Sequence, residues 1–231
     1  MKEINKFIAE LEAYKSAGQV FNPWRDYDPV CDIGAEAPGI RLKQMAQFLY
    51  SRIARAKYLL VAEAIGYQGG RFTGIALVSE RILLGHHKSI KPNVILPNYQ
   101  GQRTSNPGHD GLKNTQKHLG FTEPTATIVW GEVIKSSVSP EQVMTWNMFP
   151  FHPFAQNRGP LTNRTPTTVE LEVGASYTKM LLTLLPKVKV VAIGRKAGRT
   201  LDTMGIKNTP VPHPANGGAG RFKEAIKEVL V

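Results

Sequence analysis

At 231 residues, with 42% hydrophobic and 20% charged residues, the chain is long enough to bury one sizeable core and has the make-up of a globular protein. Its single cysteine, Cys31, excludes an internal disulfide and leaves any cysteine-ligated metal or iron–sulfur site short of ligands, so neither metal nor cofactor is expected. The 29 Lys and Arg residues outnumber the 18 Asp and Glu residues to give a formal charge of +11, an excess that favours a polyanionic partner reached through phosphate contacts.

Ile4, Phe7, Ile8 and Leu11 recur at helical spacing and predict a helix over Ile4 to Tyr14. This amphipathic start, with acids among the first residues, is unlike a secretory signal, and no apolar run approaches the roughly 20 residues of a membrane span, so a cytoplasmic chain without a membrane partner is expected. Residues 22–29 are turn-rich and predict an ordered loop that wraps the core with Trp24 and Tyr27. The acids Asp26, Asp28 and Asp32 lack further oxygen ligands at calcium-loop spacing and read as capping carboxylates. A second helix is predicted over Arg41 to Ala56, from Leu42, Met45, Phe48, Leu49 and Ile53.

Tyr58 to Ala62 is a short apolar run that reads as a buried parallel strand, with Val188 to Gly194 as its neighbour. Residues 88–120 are polar and read as a long loop, to which no catalytic role is assigned. Thr125 to Lys135 fits helix or strand, because Pro124 can open a helix while Thr and Val favour extension. Val143 to Phe149 predicts a third strand, and Thr209 to His213 a short fourth that its prolines confine to an edge or an end. Helices over Thr167 to Leu185, Lys196 to Met204 and Arg221 to Leu230 alternate with these strands. The pattern predicts an α/β fold: a three-layer α/β/α sandwich around a central, mostly parallel four-stranded sheet. One domain over 1–231 is expected, with 1–57 as a helical N-terminal extension packed on it. In such sheets the site lies outside the carboxyl ends of the strands, where Glu63, Asn147 and His213 fall.

Several segments, in order, resemble the uracil-DNA glycosylase superfamily. Val61-Ala62-Glu63-Ala64-Ile65-Gly66 is similar to the Gly-Glu-Ala-Pro-Gly motif of its family 4 branch, with Ala62 and Ile65 replacing the first Gly and the Pro. Trp146-Asn147-Met148-Phe149-Pro150 is similar to the strand bearing the uracil-reading Asn. Asn163-Arg164-Thr165-Pro166-Thr167, with Val190 to Arg195, is similar to that branch's Asn-Arg-x-Pro-Thr segment and Leu-Gly-Arg strand end. His213-Pro214-Ala215 is similar to its His-Pro-Ser motif. The branch's iron–sulfur cysteines are missing, which marks a cluster-free offshoot.

The resemblance implies a DNA repair glycosylase that flips uracil out of DNA and hydrolyses its N-glycosidic bond, leaving an abasic site; its partners are then uracil-containing DNA and free uracil as product, and a monomer is expected. Glu63 and His213 would be catalytic, the carboxylate meeting the developing sugar cation or positioning water and the imidazole meeting the departing uracil anion. Asn147 would read uracil, whose donor and acceptor edge its amide matches. Gly66, Tyr67 and Gln68 would wall the pocket, with Leu77 or Phe72 as stacking platform. Ala215, Asn216, Gly217 and Gly218 occupy the place of the family's intercalating loop, and Arg221 and Arg164 would contact DNA. Ala64 stands where the best-known branch has its water-activating Asp. A lyase step needs an amine nucleophile, and neither motif holds a lysine, so monofunctional base excision is expected. Two other readings are a uracil- or abasic-DNA-binding protein of low turnover, and a nucleotide-binding enzyme or nucleosidase using Gly66 to Gly70 as a phosphate cradle.

Overall fold

The computed structural model describes residues 1–231. Helix α1 (Lys2–Ala13) buries Ile4, Phe7, Ile8 and Leu11, as their spacing requires. After the short strand β1 (Val20–Phe21), helix α2 (Ala37–Arg52) starts ahead of the expected Arg41 because Pro38 presets its first turn. It ends short of the expected Ala56, at Arg52, whose buried guanidinium donates to the carbonyls of Val143 and Val94. Strand β2 (Tyr58–Ala64) leads into a long connection holding α3 (Gly70–Thr73), α4 (Glu80–Leu83), α5 (Pro92–Ile95), α6 (Asn114–Leu119) and α7 (Pro124–Lys135). The segment whose composition fits either state is therefore helical, opened by Pro124. Strands β3 (Val143–Phe149) and β4 (His152–Pro153), helix α8 (Thr168–Leu184), β5 (Lys189–Ile193), α9 (Arg195–Thr203), β6 (Thr209–Val211) and α10 (Ala219–Val229) complete the chain.

The main sheet has the order β3-β2-β5-β6 and is parallel throughout, with β6 at the edge, one of the two placements its prolines allow. The β2-to-β3 connection runs one way from the central strands, and the β3-to-β5 and β5-to-β6 connections run the other. Right-handed crossovers therefore place α3–α7 on one face and α8 and α9 on the opposite one. Side chains confirm the assignment: Trp146 donates from Nε1 to Thr178 of α8, whereas its neighbour Thr145 donates to the carbonyl of Ala76 beneath the other face. Alternation along the strand then puts Asn147 on the Thr145 face. The Ala62–Asn147 and Val61–Trp146 register puts Ala62 with Asn147 and turns Glu63 toward α8 and α9.

The strand ends are set by packing. Gly174 of α8 lies so close to β3 that a Cβ there would come within 1.9 Å of the Met148 carbonyl oxygen. Residues 1–57 share the main core: Phe7 packs on Trp146 with ring centroids 5.6 Å apart, and β1 pairs with β4.

Residues 22–35 and 88–120 are tied down by buried charge. Asp32 meets Arg41 and Arg71, each at 3.0 Å, and Phe21 lies under both guanidiniums. Glu80 accepts from the amides of Thr104 and Ser105 and from the Ser105 hydroxyl, so the polar stretch is an ordered layer. Asp26 and Asp28 accept backbone amides of their own loop, as capping carboxylates do. Trp24 is buried and donates to the Gly74 carbonyl, but Tyr27 is 45% exposed; the Arg41 guanidinium occupies the carbonyls beneath this loop and leaves the ring outside.

Candidate active site

Glu63 stands near the carboxyl end of β2, at the crevice beside β5 where the strand order reverses. Its face of the sheet carries α9, and Lys196 from the first turn of that helix brings Nζ to 3.1 Å from Glu63 Oε1. The alignment leaves Oε1 without a true hydrogen bond, so the contact is purely an ion pair. Lys196 also donates to Thr165 Oγ1 at 2.8 Å. Neither motif contains this lysine; the turn following Ile193-Gly194 delivers it, and only the crossover brings that turn beside β2.

His213 lies two residues beyond β6, against the end of β5. Gly194 permits this contact: its φ is +89°, and a Cβ there would sit 3.1 Å from the His213 Cβ. The Ala215 backbone N–H donates to His213 Nδ1 at 3.1 Å. A nitrogen that accepts from an amide carries no proton, so the neutral ring holds its proton on Nε2 and presents it as a donor. Desolvation lowers the His213 pKa and the Glu63 carboxylate partly opposes this, so the neutral form is favoured although the residue as a whole is exposed.

Asn147 belongs to the other face. It is 1% exposed, and its Oδ1 has no hydrogen-bond partner. A buried amide oxygen left unpaired is costly, and a ligand N–H would relieve that cost. Asn147 therefore shares the strand ends with Glu63 but not the Glu63–Lys196 contact. Leu77 is buried in the main core with φ +55°, and its carbonyl accepts from Trp130 Nε1. Phe72 is buried in a small satellite cluster, stacked on Phe121 at 4.7 Å beneath the Arg71 guanidinium. Neither residue shows a free face to stack on, because aromatic and cation–π packing has already used the Phe72 ring.

The glycine-rich loop and the His213 loop meet across a cavity of about 230 Å³, to which Gly66 and Gln68 contribute from one side and Pro214 and Ala215 from the other. Asn163 fixes its floor by accepting the Tyr67 amide at 3.0 Å, while the Tyr67 ring packs edge-on against Phe121. Glu123, just before α7, also lines this cavity. Its Oε2 is sealed and unpaired, and burial pushes its pKa up to about 7. Gly69 makes room for that carboxyl, since a Cβ there would lie 2.2 Å from Glu123 Oε2. The sequence hides this group, because a Glu before Pro at a helix start reads as an ordinary cap. His152, also buried, spans the carbonyls of Ile65 at 3.0 Å and Pro160 at 2.9 Å. Burial holds its pKa down at about 4, with Arg71 and Arg164 adding repulsion against its hydrogen bonds.

Ala215, Asn216 and Gly217 form an exposed tip, with Asn216 and Gly217 both left-handed at φ +53° and +78°. Gly218 closes the turn where a Cβ would meet the His213 carbonyl oxygen at 2.1 Å. Arg221 is exposed and, with Arg195, lines a second cavity of about 520 Å³ beside His213. Arg164 is different. Its fork is closed on Glu170 at 2.6 and 2.7 Å and on the carbonyls of Phe154 and Gln19, so this guanidinium anchors a loop and is not free for a phosphate.

The fold and the strand-end position of these groups define an α/β/α sandwich whose polar crevice lies at the carboxyl edge of a parallel sheet. Among solved structures, it is similar to the crystal structure of WT Pedobacter heparinus SMUG2, with a TM-score of 0.61 at 13% sequence identity, covering 98% of this chain and 96% of that one. No family model matches the sequence, and no curated protein matches it.

Proposed function

We propose that this chain is a DNA glycosylase of the uracil-DNA glycosylase superfamily, which removes uracil from DNA by hydrolysis of the N-glycosidic bond. The fold shared with a structure of that superfamily and the ordered motifs support the reading. The observation that carries it is the Ala215 amide on His213 Nδ1, which fixes a neutral imidazole with Nε2–H as donor. Breaking the bond puts negative charge on the departing uracil, and a preorganised donor aimed at it contributes about 3 kcal/mol to the transition state. Glu63 meets the opposite charge on the sugar. The unpaired Oδ1 of Asn147 would accept the uracil N3–H, which cytosine lacks in its neutral form. The +11 charge, with Arg195 and Arg221 free of acidic partners, supplies phosphate contacts that offset the few kcal/mol needed to extrude a base.

The test is release of free uracil from a uracil-containing oligonucleotide. Wild type should release it, and His213→Ala should lower single-turnover release by about 10²–10³-fold while retaining DNA binding. Tight DNA binding without release would favour the low-turnover binding protein, and absence of DNA binding would remove both readings.

A further inference from the structure

We propose that Lys196 gives this site a second activity: its amine attacks C1′ of the abasic sugar left after base removal and cleaves the strand by β-elimination. The inference rests on the glycosylase reading above, in which Glu63 faces the sugar.

Two contacts hold the amine at that carboxylate, Nζ lying 3.1 Å from Glu63 Oε1 and donating to Thr165 Oγ1 at 2.8 Å. The helix that bears it is fixed, since Ala197, Gly198 and Leu201 are buried and Gly198 faces Ala192 of β5. Stability does not account for the pair: the lysine side chain is 57% exposed, and exposed ion pairs contribute little to folding. The same exposure leaves the side chain within reach of an incoming sugar. A lysine amine is the side chain suited to a carbonyl carbon, with which it forms a Schiff base.

The step balances without a redox partner. The ammonium gives one proton to solvent, and the free amine adds to the aldehyde carbon C1′ of the opened sugar and expels its oxygen as water, forming a C1′=N imine. The Glu63 carboxylate takes a proton from C2′. That C–H pair becomes the C2′=C3′ bond, and the C3′–O bond breaks with its electrons leaving on the phosphate. Water then hydrolyses the imine, so one water is released and one consumed, and the products are an unsaturated aldehyde and a 5′-phosphate end.

The full chain is incubated with an oligonucleotide carrying one preformed abasic site, with sodium borohydride to reduce any imine, and the covalent protein–DNA adduct is read on a denaturing gel. Wild type should give the adduct. Lys196→Ala should reduce its yield at least about tenfold, and so should Lys196→Arg, which keeps the cation but lacks the nucleophilic amine. No adduct from wild type, or an undiminished yield from both variants, overturns the proposal. Uracil release is measured beside it: release without an adduct rejects the Lys196 step alone, whereas an adduct on abasic DNA without uracil release supports the amine chemistry and rejects the uracil reading.

Discussion

Replacing Glu123 by Gln should stabilise the protein at high pH and leave it nearly unchanged at low pH. The carboxyl of Glu123 is sealed at Oε2, has no partner there, and is pushed by burial from an ordinary value of 4.5 up to about 7. The folded state therefore holds this proton more tightly than the unfolded chain does, and stability falls as pH rises from about 4.5 to about 7. At about 1.36 kcal/mol per pKa unit, the penalty reaches about 3 kcal/mol once the group is ionised. Gln carries no charge and nearly the same shape, so it escapes this penalty. In a domain of this size each kcal/mol moves Tm by about 2–4 °C, so Glu123→Gln should unfold about 6–12 °C above wild type at pH 8 and close to it at pH 4.5. Thermal unfolding followed by circular dichroism at the two pH values measures the difference. A gap in Tm that stays constant with pH, or a variant that loses ground to wild type as pH rises, would refute the reasoning.

Asp32→Ala removes the acid shared by two buried guanidiniums and should cost about 3–5 kcal/mol in urea unfolding, because Arg41 and Arg71 lose their common counter-charge. Gly174→Ala sets a methyl against the Met148 carbonyl and should lower stability by about 1–3 kcal/mol, seen as a reduced midpoint at unchanged slope. Arg195→Gln and Arg221→Gln should each reduce the slope of log affinity against log salt by about 1 in a DNA-binding titration, whereas Arg164→Gln should leave that slope alone and lower Tm.

The sequence by itself determined the layers and most of the polar groups at their edge. Short apolar runs such as Leu59 to Ala62 and Val190 to Ile193 read as buried strands by their length, and helical periodicity between them leaves few topologies, because crossovers are right-handed and polar ends gather at the carboxyl edge. Glu63 and His213 were legible for that reason, and so was the position of Asn147 in its strand. What those groups touch was decided by tertiary structure alone. The left-handed turn at Gly194 starts α9 and carries Lys196 to Glu63, a contact between segments far apart in the chain that no local pattern records. Phe72 is an aromatic at a plausible spacing, yet Phe121 and Arg71 enclose it. Arg164 has the charge for a phosphate, yet Glu170 takes it. Glu123 is an ordinary acid in sequence, and it becomes an unusual one because its Oε2 is sealed without a partner beside the glycine-rich loop and the His213 loop, and burial disfavours its charged form. Periodicity reports which way a side chain faces; only packing decides its partner, and the partner sets its chemistry.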